Sequence, residues 1–193
     1  MKTMFKSAAL AAAFAVAPVA AQAQQAPAAV VVVVDTQKIF AECNACKAAQ
    51  TQLQAQATSI QTRAQQLGAP LQTEAQAIQK AAGGKAPDAA LTARIQALQT
   101  KESSANQEIQ GRQQTFQRNR AYVAQQINAK LDPIITQVMQ KRGANLAIDQ
   151  GATLAAASTI DVTSDVLAQL NAQLPSVSAI APAEAQPAKP TGR

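Results

Sequence analysis

TQKIFAECNACKAAQTQLQAQATSIQTRAQQLGAPLQTEAQAIQKAAGGKAPDAALTARIQALQTKESSANQEIQGRQQTFQRNRAYVAQQINAKLDPIITQVMQKR, residues 36–142, is the stretch that decides the fold of this chain. Alanine and glutamine dominate it, and apolar residues return at spacings of three and four. Ile39, Cys46, Leu53, Ile60 and Leu67 stand seven apart, with Cys43, Ala57, Ala64, Leu71 and Ile78 in the second seam position. Past Gly83-Gly84-Lys85-Ala86-Pro87-Asp88, Ile95, Ile109, Phe116 and Val123 keep the step of seven, with Leu91, Leu98 and Ala105 beside them. Two apolar positions per seven make a narrow stripe, the signature of a coiled-coil seam. The stretch therefore predicts a long antiparallel coiled-coil helical hairpin, 36–142, with its turn at 83–88. At about 1.5 Å per residue the outgoing arm is about 70 Å long. Pro70, after Gly68-Ala69, removes a backbone donor and predicts a kink near Gln66. Pro133 predicts a second bend or a helix restart.

Outward from the hairpin, the flanks read as smaller devices. Met1 to Ala23 has the form of an export signal. Lys2 and Lys6 are its charged start, Ala8–Val16 its apolar run and Ala21-Gln22-Ala23 its small-x-small cleavage site, which predicts a periplasmic protein cleaved near Ala23. Val30 to Val34 is a continuous run of β-branched residues, which favours a strand. Asn145–Asp149 and Thr153–Ala157 read as two further short strands joined at Gln150-Gly151. Asp161 or Thr163 caps a short helix through Gln173. Residues 24–35 and 143–173 together predict a small β/α body, and 174–193, rich in Pro, Ala and Ser, a disordered tail. The expected class is mainly α with a small β body.

Short strands leave unpaired edges, while the arm's seam is consumed within the hairpin. The base is therefore the expected oligomerisation surface, through Val31, Val32, Val33, Val34, Leu146, Ile148 and Leu154. Composition narrows the function classes. Aromatics are 3% of the chain, and Trp and His are absent. Without His the usual general base and the commonest metal ligand are missing. No enzyme activity, metal or cofactor is expected. The net charge is +6; with the two leader lysines set aside, 15 positive and 11 negative side chains remain, or +4. That balance suits acidic clients or anionic lipid as well as a solvated helix face. Export and the lack of a basic-aromatic patch argue against nucleic acid.

One motif suggests chemistry, Cys43-Asn-Ala-Cys46. A redox pair wants a helix N-terminus in a full α/β sheet, and a zinc site wants four ligands. Neither setting is present, so the pair reads as seam residues or as a local disulfide.

Three segments in this order carry a resemblance: Val33-Val34-Asp35 to Phe40, Leu131-Asp-Pro-Ile-Ile135, and Asp161 to Leu170. With the matched arms between them, the chain over Val30–Asn171 resembles the Skp (OmpH) family of periplasmic chaperones. The resemblance implies a homotrimer whose β-rich body raises three helical tentacles around a cavity. Unfolded outer-membrane proteins would be held there without ATP. It implies that Val31–Val34, Leu146–Ile148 and Leu154–Ala157 lie in the body and Gln50–Gln125 in the tentacle. The membrane surface or lipopolysaccharide is a further partner it implies, with no residues assigned. The tentacles of better-known members are rich in Lys and Glu, whereas these are rich in Gln and Ala. Positive charge gathers lower on the return arm, where Arg112, Arg118, Arg120 and Lys130 are the candidates to face a client. A structural coiled-coil spacer of the envelope is the alternative function.

Overall fold

A computed structural model describes residues 27–183; the export signal and the last residues of the chain lie outside the described residues. The order is β1 (Val31–Val34), α1 (Thr36–Glu42), α2 (Asn44–Ala82), α3 (Ala89–Lys141), β2 (Leu146–Asp149) and α4 (Thr163–Gln173). Short 3-10 turns at Gln150–Ala152 and Ser158–Ile160 lie between β2 and α4. The architecture is mainly helical with a small sheet: a long hairpin of α2 and α3 rising from a body of β1, β2, α1 and α4.

Local chemistry sets each boundary. The Asp35 carboxylate accepts from the Lys38 N–H at 2.8 Å and starts α1, satisfying a donor with no intrahelical partner. Asp88 does the same for α3, accepting from the Leu91 N–H at 2.7 Å. Gly83 (φ 51°) and Gly84 (φ 76°) take the left-handed conformations that turn the chain at the arm's tip. Gly143 (φ 67°) ends α3, its N–H bonding Gln140 O and the Ala144 N–H bonding Met139 O. This is the paired bond pattern of a Schellman ending.

Four features differ from the sequence reading. First, the outgoing helix is not single. Cys43 is extended (ψ 136°), closing α1 and opening α2, and its sulfur accepts from the Cys46 N–H. Second, Pro133 brings no helix restart: α3 runs on through it, as α2 runs on through Pro70. Leu71, just past Pro70, packs on the tip cluster, and Ile134, just past Pro133, is fully buried. Third, the sheet is not a three-stranded arrangement containing a hairpin. β1 pairs in parallel with β2, Val31 opposite Leu146 through Val34 opposite Asp149. The other edge of β1 is met at Val33 by Asp161, with the Val162 N–H bonding Val33 O. Residues 153–157 form no strand. The Asp149 carboxylate takes the Gly151 N–H and folds the chain into a 3-10 turn instead, and the alanines beyond it have little strand preference. Fourth, residues 174–183 are not a free tail. Leu174, Ala179 and Ala181 are buried.

Two apolar clusters hold the molecule. The larger joins the body to the arm root, through Ile39, Ile134, Val166 and Leu170, all fully buried. The smaller sits near the tip, around Ile78, Leu91 and Leu98. Between them the facing residues, including Ile60, Leu67, Ile109 and Phe116, are half-buried. The hairpin is thus closely packed at its ends and looser along its middle.

Candidate functional site

The body presents an incomplete surface. Among the described residues, β2 pairs on one side only, with β1. Leu146 on that strand is 43% exposed, and Leu154 in the loop beyond is wholly exposed. Val31 is half-buried, Val32, Val33 and Val34 face the core, and Ile148 is half-buried. The predicted base residues therefore divide. Val32, Val33 and Val34 belong to the core, while Leu146 and Leu154 are exposed.

Polar contacts fix the strand ends to the helices of the body. Thr36 gives both its N–H and its hydroxyl to the Asp149 carboxylate. The Thr36 hydroxyl, followed by the Gly151 N–H, holds the Asp149 carboxyl below the usual range. The Thr163 side chain and N–H act likewise on Asp161. Both carboxylates are engaged in turns and strand ends. Cys43 and Cys46 form a disulfide, both buried at the arm root. No group of three or more His, Cys, Asp or Glu suited to a metal occurs among the described residues.

Along the arm, ion pairs cross between the helices where apolar packing thins. Glu108 on α3 accepts from Arg63 of α2 at 2.8 and 3.0 Å and from Arg112 at 2.9 Å. These two guanidinium groups, Arg63 first, pull the Glu108 pKa down to about 2. The hydrogen bond to Glu108 raises the Arg63 pKa in turn. Nearer the tip, Arg94 pairs with Glu74 at 2.9 Å. The four basic candidates do not act alike. Arg112 is paired with Glu108, Arg120 lies 5.9 Å over the Phe116 ring, Arg118 is half-buried and Lys130 is exposed. Phe116 borders three grooves along the arm, two of them larger than the third. One, of about 920 Å³, runs past Ile60, Arg112 and Asn119 to Ile180. The other, of about 670 Å³, is bordered by Ala57, Ile60 and several glutamines.

Sequence reading missed a set of side-chain amides at the arm root. Asn119 is only 5% exposed, and its amide bonds Gln56 Oε1 on one side and the Ala181 N–H on the other. Gln56 reaches Ala179 O, and Gln126 brackets Ser178. A signal was present. The step of seven from Leu91 through Leu98 and Ala105 lands next on Arg112 and Asn119. Polar residues at seam positions mark where the hairpin stops packing only on itself.

The family model described as outer membrane protein (OmpH-like) matches residues 30–170, from the first residue before β1 to the last turn of α4. The chain belongs to the OmpH-like family. A solved structure from Caulobacter crescentus, of a candidate outer membrane chaperone (OmpH-like), superposes with a TM-score of 0.66 at 22% identity. The likeness covers 81% of this chain and 93% of that one, and shows a shared fold. No curated protein gives a significant match. The match ends just short of Asn171, so the segment that the root amides hold lies beyond the part this OmpH-like chain shares with the family model.

Proposed function

We propose that this OmpH-like chain is an ATP-independent periplasmic holdase that keeps unfolded outer-membrane proteins from aggregating. The observation that carries the reading is the uneven packing of the arm. It is tight at base and tip, while its middle opens into grooves bordered by Ile60 and Phe116. Such shallow surfaces suit many weak contacts with a mobile chain, and several together give high effective concentration without a tight site. Family membership and the fold shared with a candidate chaperone support the same conclusion.

The free edge of β2, with Leu146 upon it and Leu154 in the loop beyond, is the surface on which copies would join, as a homotrimer with its arms enclosing a cavity. An exposed strand edge calls for a partner, and Leu146 upon it is partly exposed. Export with cleavage near Ala23 would place the assembly in the periplasm. The deciding experiment dilutes a urea-unfolded porin into buffer with the mature protein and no ATP, and follows light scattering. Suppressed scattering is expected at about one assembly per porin. Unsuppressed scattering with an intact oligomer would leave the envelope spacer as the better reading.

A further inference from the structure

Residues 177–181 lie along the root of the arm and bend at Ala179-Ile180, where the Ser178 hydroxyl accepts the Ile180 N–H at 3.2 Å and donates to Ile180 O at 2.9 Å. Their exposure alternates: Val177 half-buried, Ser178 exposed, Ala179 buried, Ile180 exposed, Ala181 buried. Among the described residues no strand pairs with the segment. Side-chain amides take the neighbour's place. Gln126 accepts the Ser178 N–H at 3.0 Å and donates to Ser178 O at 2.9 Å, as an adjacent strand would. Gln56 donates to Ala179 O at 2.9 Å, and Asn119 accepts the Ala181 N–H at 2.9 Å. The Asn119 amide also donates to Gln56 Oε1, fixing the orientation of both.

All four of these bonds go to backbone groups, which every peptide carries. Side-chain selection enters at the inward positions, Val177 packing on the core and Ala179 and Ala181 lying deeper. Ala179 is 1% exposed and Ala181 9%, so the floor admits a methyl group and little more. Backbone bonding with shallow alternate pockets is the logic by which an extended peptide is read at a sheet edge. Here it is built between two helices.

We infer that the groove framed by Gln56, Asn119 and Gln126 is a binding site for the backbone of unfolded polypeptide with small residues at alternate positions, and that residues 177–181 are its tethered, displaceable occupant. The inference rests on the holdase reading, for which it names a contact site and a regulator. A tethered segment is present at high local concentration, so it wins against isolated short peptides. A long client that also touches the mid-arm groove, which begins beside Ile180, displaces it through added contacts.

The test uses the full mature chain and a fluorescein-labelled peptide of sequence LPSVSAIAPA, residues 174–183, read by anisotropy. Ala179→Arg evicts the tethered segment by bulk and leaves the groove intact; Ala181→Arg is a second route to the same state. Both variants should bind the labelled peptide at least about tenfold tighter than the wild type, since apparent affinity scales with the open fraction. Adding Gln126→Ala should abolish the gain, and a reduced, carboxymethylated, permanently unfolded protein should displace the peptide. Equal binding by wild type and both variants overturns the inference. So does a gain that survives Gln126→Ala, or failure of the unfolded competitor. The porin assay reports separately. A wild type that cannot hold porin defeats the holdase reading, while the anisotropy result still decides the groove.

Discussion

Ile134 shows how residue-scale packing carries the body. It follows Pro133 directly and is fully buried where α3 meets α1, α4 and the sheet. Ile134→Ala leaves a cavity that rigid neighbours on several elements cannot close. We expect a loss of about 2–5 kcal/mol in urea unfolding, the range for such truncations. The same change at Ile95, half-buried near the tip, should cost less. Asn119 makes the complementary point. A buried amide is tolerable only when its donor and acceptor are both met, and here both are, one by Gln56 and one by the terminal segment. Cys43 shows where periodicity misleads. Ile39, Cys43 and Cys46 stand four and three apart, as a continuous helix requires, so the break between α1 and α2 leaves no mark in the spacing.

At the scale of elements, the hairpin was legible and the base only in part. Seam periodicity, the glycine pair and Asp88 lead to α2, its turn and α3. The sheet was harder to read because a run of valines states only that a strand exists. Its direction and partner depend on contacts more than a hundred positions away. Residues 174–183 were misread because Pro, Ala and Ser bury little area, whereas this segment is held by its backbone. The mid-arm ion pairs make a pH prediction. The Glu108 pKa falls from 4.5 to about 2 in the folded arm. A depressed carboxylate stabilises in full above its unfolded value and loses that effect as pH falls through the folded one. Comparing wild type with Glu108→Gln by thermal circular dichroism, the difference in midpoint should be constant from pH 7 to about 5 and vanish towards pH 2.

At the scale of the whole molecule, assembly is the open step. Leu154 is wholly exposed in the loop after β2, and Leu146 is partly exposed on the unpaired strand. If copies join there, Leu154→Asp places a charge in the joint, where desolvation is unfavourable. We expect size-exclusion chromatography with light scattering to show a shift from oligomer towards monomer, with helical content unchanged. An unchanged mass would move the joint elsewhere on the body.

The parallel pairing of β1 with β2 also makes the entire arm an insert between two neighbouring strands. Both ends of that insert are fixed by the body, so its length is a free dimension. Excising seven residues from α2 and the seven facing them on α3 preserves the seam's phase and the strand register while lowering the tip by about 10 Å. The maximum dimension seen by small-angle scattering should fall accordingly, with the oligomeric state unchanged. The chain then works as a gauge whose reach is set by counting heptads, so that under the holdase reading the size of client it could enclose would change without redesigning the body.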